Sequence, residues 1–233
     1  FHEWDINSED LAEIAVSARK YSLLNEKAFN YGKSELTVDD VLNSGIISSP
    51  LHKLDCCLVT DGGGAVLITN DKIAESLGLA KIKVKGFGQL DTHISYSQMP
   101  NYLITGAEQS SKNALSQSKM SLDDIDIFQV YDSFTITVLS TLASIGMDQP
   151  KNIIEKFKTG HYSLNGQQPV NTSGGGLSYC HPGMLGLLLV IEAVKQLSGE
   201  LDNRQVENAS TALVHGTGGV FSTHATMILE RLG

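Results

Sequence analysis

Basic residues and cysteines are scarce in this 233-residue chain, and each shortage removes a class of protein. Seventeen Lys+Arg stand against 26 Asp+Glu, a formal net charge of −9, so the basic footprint of a nonspecific nucleic-acid binder is missing. Three cysteines, the adjacent Cys56 and Cys57 and the distant Cys180, supply neither a disulfide framework nor a CxxC metal spacing. Their use suits a reducing compartment, and the cytoplasm is the expected location. The longest apolar runs, Leu185–Val190 and Val138–Ile145, fall short of the roughly 20 residues that span a bilayer, so no membrane span is expected. Charged residues are only 18%, against 41% hydrophobic, which argues against disorder. The 22 glycines follow no G-X-Y period. An initiator Met and a signal peptide are also missing from the opening Phe1-His2-Glu3-Trp4, so the expectation is a piece or processed product of a longer protein. The N-x-[ST] triplets at Asn171 and Asn208 are accordingly read as unmodified.

What is present reads as an α/β protein. Leu11, Ile14, Ala15 and Ala18 have helical spacing behind a cap at Asn7 or Ser8. Thr37–Asp40 starts a second short helix that stops at Asn43-Ser44-Gly45. Cys56–Thr60 and Ala65–Thr69 flank Asp61-Gly62-Gly63-Gly64 and predict an antiparallel hairpin. A boundary near Asn70–Leu79 follows. Beyond it come a strand at Lys81–Gly86, a helix over roughly Tyr102–Lys119, a capped turn at Ser121–Asp124 and a strand at Ile125–Val130. Buried helices are predicted at Ser133–Ile145 and Met184–Leu197, then strands at Thr211–Val214 and Phe221–Leu229. Strands alternating with helices, plus hairpin-like pairs, imply mixed sheets.

Three loops at the ends of predicted strands combine glycine with reactive side chains, where α/β folds place their sites. In Val130-Tyr131-Asp132-Ser133-Phe134, Asp132 alone is best read as a helix cap. In Asn171–Gly186, glycines precede Cys180-His181-Pro182, and His181 suits acid–base work near neutral pH. In His215-Gly216-Thr217-Gly218-Gly219, a strand ends in a histidine and glycines expose N–H groups able to hold an oxyanion. A tight structural turn accounts for either histidine equally well when each loop is taken alone. His161, His181, His215 and His224 have no metal-ligand spacing, and no G-x-S-x-G elbow supports a serine triad.

In this order the three loops resemble the C-terminal part of the thiolase superfamily, and most nearly the thiolases related to sterol carrier and lipid-transfer proteins. Asn171–Gly186 is similar to the family's N-x-x-G-G…G-H-P loop, His215–Gly219 falls where classical members have C-x-G-G-G, and Tyr131–Phe134 falls where they have N-E-A-F or H-D-C-F. Ketoacyl synthases share H-G-T-G, but there it precedes the G-H loop, whereas here His215 follows His181. The resemblance implies a thiolase-like fold with a mixed five-stranded sheet layered with helices. Residues 1–79 would be the end of the N-terminal half and 80–233 the C-terminal half.

That resemblance implies an acyl-CoA acyltransferase of the acetyl-CoA acetyltransferase or 3-ketoacyl-CoA thiolase type. Its nucleophilic cysteine would lie outside these residues, so the chain alone would be inactive. His181 would activate that cysteine, and His215 would be the second acid/base. N–H groups near Thr217 and Gly218 would hold one oxyanion, and Tyr131 the other. No cofactor is expected beyond a coenzyme A thioester as substrate, and a homodimer or higher homo-oligomer is implied. Tyr131 also occurs in relatives that look like retro-aldolases on steroid-side-chain CoA esters. A C–C lyase with a small partner subunit is therefore the alternative, and a non-catalytic acyl-CoA or lipid-binding subunit is a third.

Overall fold

A computed structural model describes residues 1–232. Helix α1, Ser8–Leu23, begins where Asn7 and Asp10 close a capping box. The Asn7 side chain accepts the Asp10 N–H at 2.9 Å, and Asp10 accepts the Asn7 N–H at 3.1 Å. This satisfies donors that a helix start leaves without partners. Its predicted stripe of Leu11, Ile14, Ala15 and Ala18 is buried. Helix α2, Val38–Leu42, repeats the device with Thr37 and Asp40. Strands β1 (Ile46–Ser48) and β2 (Leu51–His52) form a small antiparallel pair, and α3 spans Asp71–Ser76. Then follow β3 (Lys81–Asp91), α4 (Ala107–Ser118), β4 (Ile127–Val130), α5 (Thr135–Ile145), α6 (Pro150–Lys158), α7 (Gly186–Ser198), β5 (Thr211–Gly218) and β6 (Thr223–Leu232).

The main sheet has the order β3-β6-β5-β4, with β4 and β5 parallel and the other pairs antiparallel. It is mixed, as expected, but has four strands rather than five. The place beside β4 holds a single bridge between Phe128 and Val170. Phe128 donates to the Pro169 carbonyl and accepts from the Asn171 N–H, both at 2.9 Å. Pro169 has no N–H of its own, and Asn171 turns to φ 53°, so the segment cannot continue as a strand. The Asn171 side chain takes the next N–H, that of Val130, at 2.7 Å.

Side chains alternate across this sheet. Phe128, Leu213 and Ile228 enter one core with Ala107 and Ala114 of α4, Leu139 of α5 and Ile14 of α1. Ile127, Ala212, Val214 and Leu229 enter the other with Leu188, Leu189 and Ala193 of α7. Helix α4 lies directly on β3 because Gly86 and Gly88 have no side chains: a Cβ at either would overlap the carbonyls of Ala114 or Ser110.

Three expectations change. The helix predicted from Tyr102 starts at Ala107. Helix α6 was not anticipated, although Pro150 opens it at a first-turn position. The hairpin at 56–69 does not form: residues 57–70 are irregular. Cys57, Leu58 and Thr60 donate instead to the carbonyls of Ser133, Gly176 and His181, at 2.9, 2.9 and 3.4 Å. Loops of the candidate site thus take the hydrogen bonds that a hairpin would use. Among the described residues, no helix is long and apolar enough to cross a membrane.

Candidate active site

Past Val130 the chain leaves the sheet, and Tyr131 donates its N–H to the His215 carbonyl at 3.0 Å. The side chain of the next residue, Asp132, is not the helix cap expected of it. Phe134 occupies the cap position of α5 without a side-chain bond. The buried Asp132 carboxylate instead accepts the N–H groups of Gly176 at 2.7 Å and Leu177 at 3.1 Å. Gly174 and Gly175 adopt φ 98° and 58°, and a Cβ on Gly175 would overlap this carboxylate. The clamped loop makes one π-helical turn, Gly175–Tyr179, and extends at Cys180 to deliver His181.

Tyr131 Oη and His181 Nε2 are 2.9 Å apart, with the rings edge-on. His181 is anchored by its own N–H, which donates to Thr60 Oγ1 at 2.9 Å. Burial holds the imidazole below its ordinary value. Burial raises the Tyr131 phenol, with smaller contributions from Cys57 and Asp132. Both groups are therefore uncharged at neutral pH and share one hydrogen between oxygen and nitrogen, an arrangement that moves a proton over a single bond. Burial, then Asp132, pushes the Cys57 thiol up to about 11, and Cys56 is raised as well. Cys180 is buried, with its sulfur 3.4 Å from Thr60 Oγ1. Neither Cys56 nor Cys57 has the lowered pKa of an activated nucleophile.

His215 is fully buried within β5, which continues past it to Gly218 rather than ending at the histidine as the sequence suggested. Its Nδ1 lies 2.8 Å from Thr226 Oγ1, and its Nε2 is 3.3 Å from both Thr217 Oγ1 and His224 Nδ1. Burial, reinforced by His224, lowers His215 to about 3. Sequence reasoning considered His224 only as a metal ligand. Strand parity could have found it: β5 pairs antiparallel with β6, His215 opposite Thr226 and Thr217 opposite His224, so the four share one face. No group of three or more His, Cys, Asp or Glu among the described residues is arranged for a metal ion.

Tyr131, Phe134, Met184, Thr217, Gly218 and Phe221 help line a mostly apolar cleft of about 790 Å³, within the usual range for a small-molecule site. Three of the five sequence-predicted residues, Tyr131, Thr217 and Gly218, reach this cleft. His181 adjoins it through Tyr131, and His215 lies behind Thr217. Because His215 turns its carbonyl to Tyr131, alternation along β5 turns the Thr217 N–H to the same edge, where β4 has ended. Gly218 faces β6, and its carbonyl accepts the Ser222 N–H at 3.2 Å.

The family described as thiolase C-terminal domain-like matches residues 88–231. An acetyl-CoA acetyltransferase of Methanothermobacter thermautotrophicus is 30% identical over 232 residues, 99% of this chain and 60% of that protein. The benzoylsuccinyl-CoA thiolase subunit BbsB of Thauera aromatica is 30% identical over 223 residues, 94% of this chain and 57% of that subunit. Among solved structures, the Ltp2-ChsH2(DUF35) aldolase superposes with a TM-score of 0.89 at 27% identity, covering 99% of this chain and 60% of that one. This chain thus spans about 60% of the length of these two curated relatives. With the domain matched over more than half its residues and an α/β fold shared along nearly all of them, the chain belongs to the thiolase family.

Proposed function

We propose that this chain supplies the acid–base side of an enzyme that makes or breaks the carbon–carbon bond beside the carbonyl of a coenzyme A thioester. The observation that carries this reading is the 2.9 Å Tyr131–His181 bond on one wall of an apolar cleft whose other wall is Gly216–Gly219, the end of β5 and the residue after it. Tyr131 and His181 would move the proton, and the Thr217 N–H would hold the oxygen of the thioester enolate. Residues 1–79 and 80–233 would correspond to the end of the first thiolase half and to the second half.

Two reactions share that enolate. In acyl transfer of the thiolase type, a cysteine attacks the 3-oxo carbon of a 3-oxoacyl-CoA, and His181 would activate it. Similarity to an acetyl-CoA acetyltransferase and to a thiolase subunit favours this form. The raised thiols of Cys56 and Cys57, and the burial of Cys180 against Thr60, favour a nucleophile outside residues 1–233 for this form. In the aldolase form no cysteine is needed. The 3-hydroxyl of a 3-hydroxyacyl-CoA gives its proton to Tyr131, which passes its own to His181 Nε2. The Cα–Cβ bond then breaks, its electrons enter the thioester as an enolate, and the proton returns to Cα. The Tyr131–His181 geometry and the likeness to a solved aldolase favour this form. A second subunit is part of the proposal for either form, since one relative is itself named a subunit. Self-association of the complete chain belongs to it too.

Assays of the full-length protein with a 3-oxoacyl-CoA plus free coenzyme A, and with a 3-hydroxyacyl-CoA, separate the two. For an aldolase, Tyr131→Phe is expected to lower cleavage roughly 10²–10⁴-fold. For an acyltransferase, Tyr131→Phe keeps thiolysis measurable while His181→Ala abolishes cysteine acylation. Binding of the thioester with turnover of neither substrate sinks both and leaves a carrier subunit.

A further inference from the structure

His224 enters neither reaction above, yet it is buried against His215. The two rings sit inside a chain of polar contacts. From the Ala107 carbonyl it runs to Ser110 Oγ (3.3 Å), Thr226 Oγ1 (2.9 Å) and His215 Nδ1 (2.8 Å). From His215 Nε2 it continues to His224 Nδ1 (3.3 Å), and from His224 Nε2 to the Phe221 carbonyl (3.0 Å). A carbonyl only accepts, so a neutral His224 carries its hydrogen on Nε2 and presents a lone pair at Nδ1. Two buried lone pairs do not face each other at this distance without cost. The hydrogen between the rings therefore sits on His215 Nε2. His215 Nδ1 then accepts the Thr226 hydroxyl hydrogen.

We propose that His224 is a positioning residue that fixes His215 as its Nε2–H tautomer, so that His215 backs Thr217 at the cleft wall as a hydrogen-bond donor rather than acting as a free base. With both ring nitrogens engaged, His215 has no lone pair to offer a substrate. Its Nε2–H also lies 3.3 Å from Thr217 Oγ1, which can accept it. The Thr217 hydroxyl hydrogen is then free to point into the cleft beside the Thr217 N–H. Two donors from one residue meet the developing charge of an enolate oxygen, an arrangement that stabilises an oxyanion without reorganisation. Burial keeps both rings uncharged. The titratable groups that bear on His224 besides His215 are His93, two residues past β3, and Asp91, the last residue of β3. The catalytic part of this inference rests on the thioester reading, but the tautomer does not.

The test is a two-bond proton–nitrogen correlation spectrum of full-length protein with nitrogen-15-labelled histidine rings. His215 and His224 are expected to be neutral, each with its hydrogen on Nε2. His224→Gln keeps an acceptor oxygen for His215 and an amide donor for Phe221, and should retain both the tautomer and most of kcat. His224→Phe removes the acceptor. It should shift the His215 hydrogen to Nδ1 and lower kcat on the order of 10²-fold, the loss typical of an oxyanion donor, with little change in KM. A hydrogen on Nδ1 of His215 in the unaltered protein overturns the proposal whether or not either variant folds. So does a Phe variant with the unaltered tautomer. An inactive protein with the expected tautomer sinks the proposed reactions and leaves the assignment of His224 standing.

Discussion

Asp132 is a carboxylate out of reach of water, held by two backbone N–H groups of a loop 44 and 45 residues further along the chain. Burial pushes its pKa up to about 7, and the two donors offset only part of that. The folded protein therefore binds this proton more tightly than the unfolded chain does. Its contribution to stability is full below the unfolded value near 4 and is lost as the pH rises through about 7. Urea midpoints are expected to fall between pH 5 and pH 8, and Asp132→Asn should flatten that dependence; a parallel slope in the variant would refute this. The sequence showed Tyr131-Asp132 and the glycine loop as chemical segments but not their mutual grip. No local pattern announces a carboxylate that serves a distant loop, whereas a helix cap is the ordinary reading of Asp before a helix. His224 was hidden for another reason, since it becomes visible only when β5 and β6 are set in register.

At the scale of elements, what could be read depended on whether the deciding contacts were local. The Asn7–Asp10 and Thr37–Asp40 boxes lie within four residues, and both helices begin where the sequence places them. The turn at Ser121–Asp124 succeeds likewise, with Asp124 accepting the Ser121 N–H at 2.8 Å. The 56–69 hairpin fails because its first arm finds better partners at Ser133, Gly176 and His181, which no window around residue 60 contains. The fifth strand fails at Pro169 and Asn171, whose backbones cannot extend the bridge at Val170. The seat of α4 on β3 has a sharp consequence: Gly88→Ala places a Cβ into the Ser110 carbonyl and is expected to cost about 1–3 kcal/mol. Gly63→Ala meets nothing within 4 Å and should stay within about 0.5 kcal/mol of the parent. Denaturant unfolding of the two variants checks the contrast, and equal losses would refute the packing account.

For the molecule as a whole, the notable surface is that of the first 70 residues. Ile46, Ile47, Val59, Leu67 and Ile68 are between 63% and 98% exposed, an apolar display unusual for a monomer. Residues 1–233 prepared alone are expected to self-associate through it, and the double change Val59→Lys, Ile68→Lys should shift the sedimentation profile toward monomer. An unchanged profile would place the contact elsewhere. The family resemblance read from three loops covered the architecture well, because the order of loops along a chain survives when individual side chains change. It left the reaction open, since acyl transfer and aldol cleavage differ in the cysteine and share the rest.

The clasp between Thr60 and the backbone of His181 joins residues 121 positions apart. On a chain made from its N-terminus at about 5–20 residues per second, residue 60 waits roughly 6–24 s for its partner to be synthesised. Through that interval the segment around it has its apolar side chains and free N–H groups, but not yet the Gly176–His181 loop that will bind Leu58 and Thr60. The Tyr131–His181 pair therefore cannot be set in place before most of this chain has been made, and the same interval is when the exposed 57–69 segment most needs shielding by a chaperone.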